Sequence, residues 1–237
     1  EQMGGLTQLF FLRKLSEDVE KDWSSVLAKL EAVRHHLLNR NAMICNVTLD
    51  SENWAQFQPQ LHNFLAALPA REVSLATWSP ALNRTHEGLT IPAQVNYVGK
   101  GANLYDLGYK LHGSNTVIRK FLSTTYLWEK VRVQGGAYGG FCTFDRDSGV
   151  FNYLSYRDPN LEKTLENYNG AADFLRNLDL HEAELTKSII GAIGGIDGYQ
   201  LPDAKGSTSL RRHLIGLTDE ARQQYRDEVL STTAADF

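Results

Sequence analysis

The sequence predicts an α/β sandwich, with a mixed and mostly antiparallel sheet and helices packed on one face. Three observations lead there. Several stretches place apolar residues at helical spacing with charged residues between them. Two short β-prone segments late in the chain are separated only by turn residues. Strands and helices alternate through the first two thirds, and helices alone close the chain.

The elements follow in order. Residues 1–15 carry Leu6, Leu9, Phe10, Phe11, Leu12 and Leu15, as at the end of a helix. From Ser16 to Asn39, Trp23, Val26, Leu27, Leu30, Val33 and Leu37 recur at helical spacing and predict one amphipathic helix. Ala42 to Leu49 reads as a strand. Asp50 and Ser51 offer a cap for a helix marked by Trp54, Phe57, Leu61, Phe64, Leu65 and Leu68. Pro69 to Gly88 reads as a loop and Ile91 to Val98 as a strand. Tyr105 to Leu111 fits either a strand or a helical turn. A helix follows Gly113 and Ser114, with Val117, Phe121, Leu122, Thr125 and Trp128 as its buried stripe, ending near Arg132.

The segments AYGGFCTF and VFNYLSY, joined by Asp145 to Gly149, predict a β-hairpin. Asp158-Pro159 then reads as a helix cap with proline in the first turn, for a helix burying Leu161, Leu165, Tyr168, Leu175 and Leu178. Asp179 and Glu182 suggest a capping box for the next helix, which runs to Gly194, Gly195 and Gly198. Thr208 to Leu214 and Thr218 to Leu230 are the last helical stretches.

Composition excludes several functions. The 237 residues are 42% hydrophobic and 22% charged, with a net charge of −4, so no general attraction to nucleic acid or to an anionic membrane is expected. No apolar run is long enough for a transmembrane helix, and no secretory or transit segment is visible at the start. Cys45 and Cys142 lie far apart in apolar stretches and read as buried free thiols. The seven histidines form no H-E-x-x-H or H-x-x-E-H motif, and His35 and His36 are adjacent and diverge on a helix, so no metal site is expected in this chain. There is no G-x-S-x-G elbow. Gly135-Gly136 and Gly139-Gly140 lack the phosphate-loop pattern and context.

The stretch from Leu127 to Phe141, LWEKVRVQGGAYGGF, remains. Arg132 ends a helix there, and Tyr138 starts the next strand among four glycines, on a face shared with Gly140 and Cys142. A tyrosine hydroxyl on a bare strand surface and a nearby guanidinium can both donate to a carbonyl. The alternative is that Arg132 neutralises the helix terminus and Tyr138 is a packed aromatic.

The stretch YLWEKVRVQGGAYGGF, followed by SYRDPNLEKTLENY and by IIGAIGGIDGYQLPDAKGSTSLRRHLIGLTDE, resembles the presequence-protease branch of the pitrilysin/insulysin zinc metallopeptidases. The likeness covers residues from about Leu15 to Phe237. It implies a clamshell of two similar halves around a chamber, with an inverted H-x-x-E-H zinc site in the first domain. It further implies that the last domain lacks zinc and supplies an arginine and a tyrosine, here Arg132 and Tyr138, to hold the substrate backbone and stabilise the oxyanion. Gly135, Gly136 and Gly139 are the accompanying substrate-binding candidates. Residues 1–15 correspond to the end of a helical linker, and residues 16–237 to a single non-catalytic C-terminal domain, truncated at its own C-terminus. Zinc and the catalytic half are expected in a missing N-terminal part, the fragment is expected to be inactive alone, and the implied substrates are unfolded peptides such as cleaved targeting peptides. The implied setting is intracellular: bacterial cytoplasm, organelle matrix or stroma. Arg157, Asp158 and Pro159 read as a structural corner in which Arg157 pairs with an acid. Asp203, Gly206, Ser207 and Arg211 read as a loop that opens a helix and is available to substrate or to the other half.

Two other classes stay open. One is a non-catalytic structural subunit of a processing-peptidase-like complex, which has no need of the Arg132/Tyr138 pair. The other is a free-standing peptide-binding module using an open sheet edge.

Overall fold

A computed structural model describes residues 4–77 and 86–237. The chain divides into two compact units, Glu1–Arg84 and Thr85–Phe237.

The first unit is helical. α1 (Leu6–Lys21) and α2 (Trp23–Leu37) replace the single helix expected from Ser16 to Asn39. Asp22 causes the break: its φ of −148° leaves helical space and its carboxylate accepts from the Ser25 amide, capping α2. α3 (Ser51–Ala67) starts as expected, with the Asp50 side chain accepting from the Asn53 amide. The strand expected over Ala42 to Leu49 does not form. Its N-terminal end is a 3-10 turn, Arg40–Ala42, and the rest has no ladder partner among the described residues. The ordering device is the buried Asn39 instead, whose side-chain oxygen accepts from the amides of Asn41 and Arg71. Cys45 is accordingly exposed, not buried. Residues 69–77 and 86–88 of the expected loop have no regular structure, and residues 78–85 lie outside the described set.

The second unit holds the sheet. β1 (Gly99–Asn103), β2 (Gly139–Asp145) and β3 (Val150–Tyr156) pair antiparallel in the order β1-β3-β2. The hairpin β2–β3 is the predicted one. β1 lies later than the strand expected over Ile91 to Val98, where only Asn96 pairs, with Asp158. In β2 the residues Gly140 and Cys142 face inward and are buried. Register then places Gly139, Phe141 and Thr143 on the opposite face beside Tyr156, Leu154 and Asn152.

The inner face is covered by α4 (Ser114–Thr124) and by the helices that follow β3: α5 (Glu162–Asn169) and α6 (Ala171–Arg176). Leu122, Tyr126, Leu127, Val131, Cys142, Tyr168 and Ala171 form the main core. Tyr153 and Tyr168 stack at 5.2 Å within it, and burial pushes both phenols up to about 12. A second cluster, Val117, Ala192 and Val229, joins α4 to α7 (Glu182–Ile196) and α9 (Asp219–Leu230). α8 (Pro202–Leu214) completes the set.

Four local expectations are corrected. Asp158-Pro159 does not cap a helix, because the Asp158 carboxylate turns inside and α5 starts three residues after Pro159. Leu161 is exposed, and the expected single helix is broken at Gly170 into α5 and α6. Asp179 makes no capping box, since His181 is the residue before α7 and gives no side-chain cap. The stretch from Asp203 to Arg211 is not a loop but the body of α8, nucleated by Pro202 at its first position.

Candidate functional site

α4 ends at Thr124. Thr125 leaves helical space (φ −117°, ψ −83°), and the Phe121 carbonyl accepts from both its amide and its hydroxyl. That back-bonding by a β-branched residue competes with helix propagation. A π-helical turn follows over Trp128–Val133, marked by the Gln134 amide donating to the Glu129 carbonyl at 2.9 Å. Single π turns recur at functional sites. Here the turn keeps Leu127 and Val131 fully buried against the sheet and presents Trp128 and Arg132 outward. Trp128 is 46% exposed, so it does not belong to the buried stripe expected of it.

The Arg132 guanidinium lies 4.2 Å from the Trp128 ring centroid and 5.6 Å from that of Tyr138. Its Nη1 donates to the Tyr138 carbonyl oxygen at 2.8 Å. The structure therefore brings the two candidate residues together across the glycine turn, with the Arg132 guanidinium over the Trp128 ring and near that of Tyr138. A guanidinium has five N–H donors, and among the described residues this is the one hydrogen bond that Arg132 donates.

Tyr138 is 65% exposed, whereas Gly140 and Cys142 are buried, so the three do not share a face as expected. Tyr138 precedes the regular ladder, and its amide donates to both the Tyr156 and Arg157 carbonyls. Its ring meets the edge of Tyr156 at 5.8 Å, and Tyr156 in turn meets Tyr97 at 5.4 Å. Among the described residues no protein group is hydrogen-bonded to the Tyr138 hydroxyl.

The glycines divide into two kinds. A Cβ on Gly135 would lie 2.5 Å from the Val131 carbonyl oxygen, and Gly136 has φ +78°; both are demanded by the turn itself. Asn160 fixes that turn by donating from Nδ2 to the Gly135 carbonyl at 2.6 Å. Gly139 differs: a Cβ there would meet nothing nearer than 4.0 Å. It leaves the sheet bare beside Tyr156, its register partner.

Among the described residues no group of three His, Cys, Asp or Glu is placed to hold a metal ion. No described helix is long and apolar enough to cross a membrane.

A family model described as the PreP C-terminal domain matches residues 86–237. The chain belongs to this family. The match coincides with the unit that carries the sheet and the Arg132–Tyr138 pair. Presequence protease 1, chloroplastic/mitochondrial, of Arabidopsis thaliana is 53% identical over 238 residues, covering 100% of this chain and 22% of that protein. Protein HypA of Clostridium perfringens is 32% identical, covering 98% of the chain and 23% of that protein. The mitochondrial presequence protease of Mus musculus is 24% identical, covering 98% and 25%. The PreP C-terminal domain chain thus spans between a fifth and a quarter of the length of these relatives. It is a peptidase-associated part, as its resemblance to the presequence proteases implied.

The sequence missed two members of the site. Tyr156 and Tyr97 fall in strand-like runs that give no sign of a site, although Tyr156 stands beside Arg157 at the end of one of them. An unbroken 3.6-residue period puts Trp128 in the core, and the π turn takes it out.

Proposed function

We propose that this domain holds the backbone of an extended, unfolded peptide on the outer face of its sheet, as the zinc-free part of a longer zinc metalloendopeptidase. The observation that carries this reading is the pairing of Arg132 with Tyr138: a guanidinium that spends one N–H on the Tyr138 carbonyl and a hydroxyl with no protein partner among the described residues, beside a strand surface stripped of side chains at Gly139. Arg132 donates to a substrate carbonyl, and the Tyr138 hydroxyl donates to the oxygen that gains charge as the peptide carbonyl becomes tetrahedral. Gly139 lets the substrate backbone approach, while Gly135 and Gly136 hold the two donors in place. Donors fixed before the reaction need no reorganisation when the charge develops, which is why they favour the transition state over the bound peptide.

Zinc, which would polarise the scissile carbonyl and activate water, does not fit the described residues of this chain, because they offer no converging donor set. In this reading the metal belongs to an N-terminal catalytic half of the same longer protein, and the 237-residue chain alone does not hydrolyse peptides. The substrates are unfolded peptides such as cleaved targeting peptides, in an organelle matrix or stroma or in a bacterial cytoplasm. Relatives named as chloroplastic or mitochondrial proteases support the organelle setting.

Amide hydrogen exchange on the full-length protein tests the location. A non-cleavable peptide is expected to slow exchange in residues 138–145 and 153–157 and to leave α8 and α9 unchanged. Protection confined to α8 and α9 would overturn the reading.

A further inference from the structure

Arg157 is the one residue other than glycine with a positive φ among the described residues, at 48°. Left-handed backbone is strained for a side chain like arginine, and such strain persists only where the surroundings enforce it. Here they do. The preceding residue, Tyr156, ends β3 in register with Gly139. The following residue, Asp158, is fully buried and pinned through its backbone to Asn96 and through its carboxylate to Asn160 and Thr164. A glycine would satisfy this corner without strain.

The arginine side chain has a definite place. Along a strand, successive residues point to opposite faces, so Arg157 should leave the outer face that Tyr156 occupies. The left-handed turn cancels that alternation and folds the Arg157 guanidinium back over the Tyr156 ring, 5.7 Å from its centroid. The contacts then run Arg132, Tyr138, Tyr156, Arg157, with a cation stacked at each end of a pair of touching tyrosines. The sequence expectation that Arg157 pairs with an acid is not met. Among the described residues no carboxylate lies within ion-pair reach of either arginine. Stacking on a ring orients a guanidinium while leaving its N–H fork free, and that fork matches a carboxylate in bidentate geometry.

We propose that Arg157 is a specificity-determining residue that binds a carboxylate of the peptide lying on the outer sheet face. The carboxylate comes either from an Asp or Glu side chain or from the peptide's C-terminus. The inference rests on the peptide-holding reading above, but Arg132 and Tyr138 act on the backbone of every substrate, whereas Arg157 acts only on substrates that carry the acid.

The test uses the full-length protein and four versions of one fluorogenic peptide: with Glu or Gln at one position, each with a free or an amidated C-terminus. Arg157→Gln is expected to raise KM about tenfold for peptides bearing the recognised carboxylate. It should leave kcat and the fully amidated Gln peptide unchanged. The Glu/Gln arm and the acid/amide arm separate the two sources. Arg157→Gly removes the guanidinium and relieves the backbone, so it should lose the same discrimination while melting no lower than the wild type; Arg157→Lys should restore part of it. An equal change for all four peptides, or no change for any, would overturn the proposal. Because the amidated Gln peptide still depends on Arg132 and Tyr138, its turnover reports separately on the underlying reading.

Discussion

Tyr138→Phe in the full-length protein is expected to lower kcat/KM for every peptide by roughly a hundredfold or more, with zinc content unchanged. The phenylalanine ring keeps the edge contact with Tyr156, so packing survives, and only the hydroxyl is lost. Removal of one preorganised donor to a developing oxyanion costs about 3–4 kcal/mol, or about 10² to 10³ in kcat. Arg132→Ala should cost at least as much, because it removes a donor and also the hydrogen bond that fixes the Tyr138 carbonyl. Arg132→Lys should recover little: an ammonium lacks the planar fork that the guanidinium presents over the Trp128 ring. The two losses should not add fully, since both residues act on one substrate backbone. Steady-state kinetics with parallel metal analysis reads all of this. Near-normal turnover would demote both residues to packing.

The second large effect concerns stability. Asp158 is 0% exposed, and its two oxygens accept from the Asn160 amide at 2.9 Å and from the Thr164 hydroxyl at 2.7 Å. Asp158→Ala strands both donors, and Thr164 is itself buried. Each unsatisfied buried donor costs about 1–3 kcal/mol, so a total of roughly 3 kcal/mol is expected. At about 2–4 °C per kcal/mol for a chain of this size, thermal unfolding should begin roughly 6–12 °C lower. Asp158→Asn keeps an acceptor for one of the two donors and should cost less than half as much. The same corner seats Arg157 and, through Asn160, the Gly135 turn. The alanine variant should therefore lose peptide turnover below its melting temperature as well.

The contrast between legible and illegible elements has physical causes. The β2–β3 hairpin was readable because two β-prone runs flank a turn cluster, and α3 because Asp50 caps it. β1 was not readable: Gly-Lys-Gly-Ala-Asn has no β propensity, and its pairing rests on close approach, since a Cβ at Gly101 would lie 2.6 Å from the Phe151 carbonyl. Ala42 to Leu49 failed in the opposite sense, having strand propensity but no partner strand among the described residues. That Arg132 and Tyr138 lie close together was legible in the glycines around them and in the family resemblance. The face on which Tyr138 sits was not, because the π turn and the strand start each shift the side-chain phase by an amount that no fixed period describes. For the same reason Arg157 looked structural: its function depends on a positive φ that sequence pattern does not report.

Photo-crosslinking tests the central claim most directly. A benzophenone amino acid replaces Phe141, which lies on the outer sheet face, or Leu230, which lies at the end of α9 and is similarly exposed. Each full-length variant is irradiated with a non-cleavable peptide. Capture of the peptide from position 141 and not from 230 is the predicted result. Capture from 230 alone, or none from 141 while the peptide remains bound, would contradict the assignment of the sheet face as the substrate surface.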